Sequence, residues 1–374
     1  MDKNFVEVWL SNSLVGRIAL TSEGLCAFEY DANFLGNGFS ISPYALPLEE
    51  KVFIGERDPF DGNFGVFDDS LPDGWGTLLL DRFLKEQGKD LSKFSILDRL
   101  SLIGSNGRGA LEYRPDNSLI ENAEFKDFDK IAQSCRKILE EKVVDKSSLE
   151  TLFKNGGSSG GARPKVFAKI DGREWLVKFK SGSDPKNVGE IEYNYSLLAK
   201  KCGIEMTQTR LINGKYFATE RFDRTAAGRI HTISASGLLN ASYRLPNLDY
   251  TDLLSVCKDL TKDQEQVVQL FRRMVFNVLI ENKDDHSKNF SFQFKSGSWK
   301  LSPAYDILPS AGFNNMHATS INGKGNPTID DILEVAKQSS IPAKLAKKIY
   351  AQEMEILSKN NKLKYCVFCR DVVV

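Results

Sequence analysis

Two parts of the chain have the sequence patterns of β-strands. The first is Phe5–Leu10, where apolar and polar residues alternate. The second comprises Val166–Ile170 and Trp175–Phe179, with Asp171 and Gly172 between them in the arrangement of a hairpin turn. We therefore predict a strand near the start of the chain and a β-hairpin near its middle.

Apolar residues at three- and four-residue intervals predict helices. The strongest such pattern, from Asp263 to Ile280, predicts a largely buried helix. Beyond the loop that follows, Phe290, Phe292 and Phe294 alternate with polar residues and predict a second hairpin. Further helices are predicted at Trp75–Gln87, Phe94–Leu102, Phe128–Glu141, Gly189–Lys201, Ile329–Lys337 and Pro342–Ser358.

These elements predict an α+β protein in three parts. Residues 1–110 form a small amino-terminal α+β domain, residues 111–220 a lobe that contains the middle hairpin, and residues 221–374 a mainly helical lobe. A chain of 374 residues is long enough to bury separate hydrophobic cores.

The loop after the long helix carries polar side chains at the spacing of a kinase catalytic loop. Asp284 and Asn289 are five positions apart, as in the pattern H-R-D-x-x-x-x-N, and Asp306 follows seventeen positions later. Phosphoryl transfer needs a carboxylate to orient the attacking hydroxyl and oxygen ligands for Mg²⁺. We interpret Asp284 as that carboxylate and Asn289 and Asp306 as metal ligands. The alternative is structural: Asp284 and Asp285 cap a turn, His286 packs locally, and Asp306 starts a tight loop before Pro309, since Asp and Asn are common in turns.

A glycine-rich turn, Gly156–Lys165, lies immediately before the middle hairpin. Glycines let backbone N–H groups approach phosphate oxygens closely. The turn matches neither the Walker A nor the G-x-G-x-x-G spacing, so a flexible turn is the alternative. Lys178 lies between apolar residues on the second strand of the hairpin, where a kinase carries its phosphate-binding lysine.

The helix after this hairpin supplies candidate carboxylates for Lys178. Glu190 and Glu192 lie near its start, and we favour Glu192 as the ion-pair partner, although either residue also fits a solvated first turn. Tyr216–Arg224 then predicts a strand whose backbone could hydrogen-bond an adenine edge. The order of glycine turn, lysine, glutamate, hinge and catalytic loop is that of a bilobal kinase, with ATP expected between the lobes.

The polar stretch after Asp306 has two interpretations. Residues 307–327 are rich in Gly, Asn and Ser, a composition that favours mobility. They are either an activation segment that substrate could order or an ordinary surface loop.

The motifs themselves resemble the HipA family of bacterial toxin kinases, over nearly the whole chain. The resemblance rests on Ser158–Lys165, Glu220–Arg224, Asn282–Asn289 and Pro303–Asp306, and in the amino-terminal third on Phe67–Gly76 and Leu102–Leu111. It implies a bilobal protein-kinase-like α+β fold with an additional small amino-terminal α+β domain. It also implies ATP and Mg²⁺ as cofactors.

Roles for single residues follow from the same resemblance. Asp284, Asn289, Asp306 and Lys178 keep the roles given above. The resemblance adds phosphate contacts at His286 and Lys288, an adenine border at Glu220 and Phe222, and a nucleotide-binding loop at Ser158, Ser159, Gly160 and Gly161 with Lys178 and Glu192.

Members of the family can phosphorylate a serine of the glycine-rich loop, which switches the kinase off. Ser158 is the matching residue, and Ser159 beside it is not excluded. A phosphate there would oppose nucleotide binding by its charge. Arg163 and Pro164 depart from the more polar pair of better-known members, and proline stiffens the loop.

The resemblance further implies partners. The antitoxin would be a small helix-turn-helix protein of HipB type, operator DNA would be bound only through the toxin–antitoxin complex, and the substrate would be a translation protein such as an aminoacyl-tRNA synthetase. Two alternatives are a catalytically inactive protein that binds ATP or antitoxin, and a small-molecule kinase on the same scaffold, because fold alone does not set the substrate.

Composition changes this picture little. Fifty basic and fifty acidic residues give no net charge, which offers no support for strong autonomous nucleic-acid binding. Six cysteines are scattered, and Cys366 and Cys369 form one C-x-x-C pair without the second pair that a zinc site needs. Met1 leads straight into the Phe5–Leu10 strand, and no apolar run reaches about eighteen residues, so we expect a cytoplasmic protein with no signal peptide and no membrane span.

Overall fold

The computed structural model describes residues 5–118 and 127–360, so the Cys366–Cys369 pair lies outside the described residues. The chain divides into two compact units. The first unit comprises Met1–Glu190, Gln208–Ile233 and Gly237–Asn240, and the second comprises Ile191–Thr207, Ser234–Ser236 and Ala241–Val374. The predicted boundaries near residues 110 and 220 stay predictions.

An antiparallel sheet and several helices form the start of the first unit. The elements are β1 (Phe5–Leu10), β2 (Ser13–Leu20), β3 (Cys26–Tyr30), α1 (Ala32–Asn37), β4 (Phe53–Ile54), α2 (Gly65–Asp68), α3 (Gly74–Glu86), α4 (Ile96–Ile103) and β5 (Leu111–Arg114). The described strands follow the order β4-β3-β2-β1-β5. Val8, Ile18 and Phe28, on three neighbouring strands, are fully buried, so the alternation in the sequence marks the core side of this sheet.

A second sheet follows in the same unit. The elements are α5 (Phe128–Leu139), α6 (Lys146–Gly156), β6 (Lys165–Ile170), β7 (Arg173–Lys178), β8 (Thr209–Ile212), β9 (Tyr216–Glu220), β10 (Arg224–Thr225) and β11 (Gly228–Arg229). Four strands follow the order β6-β7-β9-β8. Trp75 of α3 packs in one core with Leu152, Val166 and Trp175, so an amino-terminal helix supports the sheet that carries the glycine-rich turn and Lys178.

The second unit is mainly helical. Its elements are β13 (Leu248–Asp249), α9 (Tyr250–Thr261), α10 (Gln264–Leu279), β14 (Ser291–Lys295), β15 (Ser298–Leu301), β16 (Thr319–Ser320), α11 (Ile329–Gln338) and α12 (Ala343–Ser358). The chain passes between the units at α7 (Val188–Lys201), β12 (His231–Ser234) and α8 (Ala235–Leu239). Phe271, Met274 and Leu279 of α10 are fully buried, so the helix is packed in the core up to its last residue, shortly before the catalytic loop.

Most predicted elements lie within a few residues of their expected bounds. The helices α6 and α9 and the short helices α1, α2 and α8 were not predicted from the sequence. In α9 the signal was present, because the buried residues Tyr250, Leu253 and Cys257 have helical spacing. A capping box of Asp249 and Asp252 starts α9. Across the described ranges, no helix is both long and apolar enough to span a membrane.

Candidate active site

The loop predicted to be catalytic is closed by one of its own side chains. The amide nitrogen of Asn289 donates a hydrogen bond of 2.7 Å to the backbone oxygen of Asp284. Since the nitrogen is used in this way, the amide oxygen is the atom that Asn289 can offer to a ligand. The side chain of Asp284 is 59% exposed, whereas Asp285 beside it is fully buried. The five-residue spacing therefore joins two predicted site residues in one tight loop.

Asp306 lies near this loop within the second unit. Its backbone has the left-handed conformation, with φ of 53°, which few non-glycine residues adopt. Its backbone oxygen accepts a hydrogen bond of 3.3 Å from the side-chain nitrogen of Asn282. Asn289 and Asp306 line the same recess. The structure thus brings the two predicted metal ligands to one place.

The donor set of this recess fits magnesium. Mg²⁺ prefers oxygen ligands and usually takes only one or two from the protein, with water and substrate phosphate completing its shell. Asn289 and Asp306 offer an amide and a carboxylate. Within the described residues there is no group of three or more His, Cys, Asp and Glu side chains that could hold a metal ion.

The buried carboxylate of Asp285 holds the catalytic loop in place. Its carboxylate accepts hydrogen bonds of 2.9 Å from the Tyr250 hydroxyl and from the backbone nitrogen of Ala318, and it lies 2.9 Å from Nδ1 of His317. Burial, and then the charge of Asp285, raise the pKa of Tyr250 well above its ordinary value, so the phenol remains a donor. Asp285 therefore has a structural role in the turn, which was the alternative given in the sequence analysis for Asp284 and Asp285.

The segment 307–327 is packed against the catalytic loop at several points. The backbone nitrogen of Lys283 donates to Ser310 (3.0 Å), and its ammonium group donates to the side chain of Asn315 (2.8 Å). His317 is 4% exposed and Thr319 is fully buried. Composition suggested mobility, but these buried anchors hold the segment, because Asp285 and Lys283 supply partners that composition does not reveal.

His286 and Lys288 share an aromatic neighbour that the sequence analysis missed. The Lys288 ammonium nitrogen lies 4.1 Å from the ring centroid of Tyr243, and the His286 ring lies 5.9 Å from it. The Tyr305 hydroxyl also donates to the backbone oxygen of Lys288 (2.7 Å). Tyr243 thus positions both predicted phosphate contacts through one cation–π contact and one ring contact. No residue spacing in the sequence pointed to Tyr243.

Arg273 is a second residue that the sequence analysis did not assign to the site. It is 2% exposed and lines the recess with Asn289 and Asp306. One terminal nitrogen donates to the backbone oxygen of Ser302, while Nε and the other terminal nitrogen have no hydrogen-bond partner among the described residues. Burial lowers the pKa of Arg273 to about 10, which still leaves a cation at neutral pH. The sequence did carry a signal for Arg273, because it is a charged residue within a helix that was predicted from its apolar pattern.

In the first unit, the two serines of the glycine-rich turn differ in the hydrogen bonds of their hydroxyl groups. The Ser159 hydroxyl donates to the backbone oxygen of Gly156 (2.6 Å) and so completes the end of α6. The Ser158 hydroxyl is buried and has no hydrogen-bond partner among the described residues. Gly160 and Gly161, at the tip of the turn, are exposed.

Lys178 and Glu192 are each buried, at 8% and 3% exposure. Lys178 ends β7, with its ammonium nitrogen 5.7 Å from the ring centroid of Phe217. Glu190, the other candidate carboxylate, is exposed. Lys178 belongs to the first unit and Glu192 to the second, and their ion pair stays a prediction.

The predicted hinge strand is tied into its sheet. The backbone nitrogen of Glu220 donates to Gln208 (2.9 Å), that of Arg221 donates to Glu174 (2.9 Å), and the Glu220 carboxylate accepts from Arg173. The backbone N–H groups of Glu220 and Arg221 are therefore already used within the protein. The roles of Glu220 and Phe222 stay predictions.

A buried ion network lies directly after this strand. Asp223 accepts hydrogen bonds from the guanidinium groups of Arg221 and Arg224 and from the backbone nitrogen of Gly109. Burial by itself raises the pKa of Asp223, but the charges of Arg221 and Arg224 outweigh it and hold that pKa far below its usual range. This network therefore holds the turn that contains Gly107 and Gly109, which is a structural turn.

Two family descriptions match the chain. Residues 6–114 match the HipA N-terminal domain, and residues 157–360 match the HipA-like C-terminal domain, which is more than half of the chain. The chain belongs to the HipA family. The resemblance noted in the sequence is therefore confirmed.

HipA relatives include two curated Sinorhizobium fredii proteins that carry kinase names. Y4mE is 25% identical over 355 residues, which cover 84% of this chain and 80% of Y4mE. Y4dM is 27% identical over 176 residues, and this match spans 42% of each chain, less than half the length of Y4dM.

A solved HipA structure shares the fold. The Shewanella oneidensis MR-1 complex of the toxin–antitoxin system HipA, HipB and operator DNA contains a chain that matches with a TM-score of 0.72 and 17% identity. The match covers 97% of this chain and 91% of that one. At this identity the likeness concerns the fold, and it confirms the predicted α+β HipA-like fold with its amino-terminal domain.

Proposed function

We propose that this HipA-family protein is an ATP- and Mg²⁺-dependent serine/threonine protein kinase that acts as the toxin of a HipA/HipB-like toxin–antitoxin system. One observation carries the proposal: Asn289 closes the loop onto Asp284 and lines one recess with Asp306. The kinase names of Y4mE and Y4dM support it.

Each site residue has a task in this reaction. Asp284 orients the acceptor hydroxyl and takes its proton, while the hydroxyl oxygen bonds to the γ-phosphorus of ATP and the bond to ADP breaks. Asn289 and Asp306 would hold Mg²⁺, which neutralises charge on the β- and γ-phosphates when bound. Lys288, held on Tyr243, adds positive charge beside Asp284.

The first unit supplies the nucleotide-binding groups in this proposal. Lys178 and the backbone N–H groups of Gly160 and Gly161 bind phosphate, and Glu220 and Phe222 border the adenine. Glu192 pairs with Lys178. The burial of Lys178 supports this role, because a nearby phosphate would stabilise the charged form of a buried ammonium group.

Ser158 is the autophosphorylation site in this proposal. Its hydroxyl has no hydrogen-bond partner among the described residues, whereas that of Ser159 holds the end of α6, so less bonding is lost when Ser158 leaves the turn. A phosphate on Ser158 adds close to two negative charges, which cannot return to a buried position beside nucleotide phosphates. The kinase would then stay switched off.

A polypeptide substrate suits the surface beside the loop better than a small molecule does. Phe313 is 79% exposed and Met316 is 48% exposed, on the segment that bonds to Lys283 next to Asp284. Exposed apolar side chains of this kind are typical of protein interaction sites. The substrate would be a translation protein such as an aminoacyl-tRNA synthetase.

The partner would be a HipB-like helix-turn-helix antitoxin. The Shewanella oneidensis HipA structure contains HipB and operator DNA, which supports this partner and a route to DNA through it. Fifty basic and fifty acidic residues agree with a protein that needs the antitoxin to reach DNA. We place this toxin in the cytoplasm, where its substrate and ATP are found.

Phosphate transfer from γ-labelled ATP with Mg²⁺ tests the function. The wild type should label itself on Ser158 and label a protein in a cell lysate, and Asp306→Asn should lose about 10²-fold or more of this transfer. Mass spectrometry of the loop peptide locates the modified serine. If the folded wild type binds nucleotide but transfers no phosphate, the result favours the alternative of a catalytically inactive binding protein over the kinase. Labelling of small metabolites alone would instead support the small-molecule kinase.

A further inference from the structure

One peptide group of the glycine-rich turn is held at both of its ends. The peptide joins Gly160 to Gly161: its oxygen accepts a hydrogen bond from the ammonium group of Lys165, and its N–H donates to the carboxylate of Asp73. Asp73 precedes α3, far from the turn in sequence. One of the N–H groups that a glycine-rich turn would offer to phosphate is therefore already bound to an anion.

The residues around Asp73 fit closely against the turn. The backbone nitrogen of Trp75 donates to the oxygen of Gly161 (3.0 Å). A Cβ atom on Gly76 would lie 2.4 Å from the oxygen of Ser159, and one on Gly74 would lie 2.7 Å from the oxygen of Gly161. Only glycines at these two positions let the start of α3 approach the turn this closely.

We propose that Asp73 is an internal competitor of nucleotide phosphate: its carboxylate occupies the Gly161 N–H and keeps the affinity for ATP low until it is displaced. This inference rests on the proposed function, because it concerns regulation of the same nucleotide site. One N–H group cannot serve two anions, and like charges repel at short range. ATP binding therefore requires the turn to leave Asp73.

Displacement would change the turn in a defined way. When Asp73 releases Gly161, the peptide group loses its hold at one end, while the bond from Lys165 to the Gly160 oxygen holds the other end. The start of α3 thus acts as a clamp that selects the nucleotide-free turn. Because α3 belongs to the amino-terminal HipA domain, that domain regulates the nucleotide site.

A supporting role for Asp73 predicts the opposite sign. If Asp73 only shaped the turn for phosphate, its removal would weaken nucleotide binding. If Asp73 competes with phosphate, its removal strengthens binding. The direction of the change in affinity therefore separates the two roles without any measurement of catalysis.

The test is the affinity of the full chain for a fluorescent ATP analogue with Mg²⁺. Asp73→Asn keeps the size of the side chain but removes its charge, and it should bind the analogue about tenfold more tightly than the wild type. Asp81→Asn, on the same helix and paired with Lys85, is the matched control and should match the wild type. Thermal unfolding of each variant verifies that it is folded.

Gly76→Ala is a second variant that acts by sterics instead of charge. Its methyl group would push the turn away from α3, so it should also bind more tightly and should speed amide exchange in the peptide 157–165. Unchanged or weaker binding by both variants, with a wild type that binds, overturns the competitor role and leaves the proposed function standing. If the folded wild type and both variants all fail to bind, the proposed function fails and the competitor role fails with it.

Discussion

The glycine-rich turn and the catalytic loop are both closed by hydrogen bonds, but the partners come from different distances along the chain. Asn289 reaches back five positions to Asp284, whereas Gly161 bonds to Asp73, which lies 88 positions away. A loop closed from within needs only its own residues at the right spacing. A turn closed from a distance depends on another part of the fold and can be controlled by it.

The two regions also place their charges differently. In the catalytic loop the buried carboxylate of Asp285 is structural, and the exposed carboxylate of Asp284 is the one for which we propose the catalytic role. In the glycine-rich turn the structural carboxylate, Asp73, bonds to an N–H group that we propose as a phosphate contact. The first arrangement separates support from function, and the second makes them compete.

Removing the buried carboxylate of the catalytic loop should have the largest effect. Asp285→Ala removes the carboxylate that the buried Tyr250 hydroxyl and the buried His317 Nδ1 contact, so we expect a loss of about 3–5 kcal/mol in the free energy of unfolding. Chemical denaturation followed by circular dichroism measures it. Asp284→Ala, one residue away but exposed, is the control and should change stability by less than about 0.5 kcal/mol. Equal losses in the two variants would show that Asp285 does not anchor the loop.

The two serines of the glycine-rich turn should differ by a smaller amount. Ser159→Ala removes a buried hydrogen bond to Gly156 and should cost about 1 kcal/mol of stability. Ser158→Ala removes a buried hydroxyl that has no hydrogen-bond partner among the described residues, so stability should stay the same or rise slightly. Thermal unfolding compares the pair. A larger loss for Ser158→Ala would contradict the bonding seen in the turn.

The smallest effect is expected at the aromatic support of Lys288. Tyr243→Leu removes the ring below the ammonium group and should slow phosphate transfer about threefold, as a partly exposed cation–π contact is worth ~0.5–1 kcal/mol. Tyr243→Phe keeps the ring and is the matched control. The rate should fall with little change in the KM for ATP. Equal rates for the two variants would show that the Tyr243 ring has no role in phosphate transfer.

Local patterns explain what could be predicted from the sequence. Alternation and helical spacing predicted the α+β class, the two hairpins and α10, and the HipA motifs predicted the family, all of which are confirmed. The roles of Asp284, Asn289 and Asp306 stay predictions, although the structure brings the loop and Asp306 together.

What the sequence did not predict depends on contacts between distant residues. Tyr243 contacts Lys288 across 45 positions of loop and helix, and Asp73 contacts Gly161 from another domain of the family. Arg273 carries a charge on a helix whose apolar pattern marked it as core. No spacing rule links such pairs, because their proximity is set by the packing of whole elements and not by the local chain.

The most direct test of the account is the rate of phosphate transfer by Asp284→Asn, measured with its affinity for ATP and Mg²⁺. We expect transfer to fall by about 10²- to 10⁴-fold while nucleotide affinity and stability stay close to those of the wild type, because Asp284 is exposed and acts on the acceptor hydroxyl. Transfer at the wild-type rate by the folded variant would contradict the assignment of Asp284 as the catalytic carboxylate.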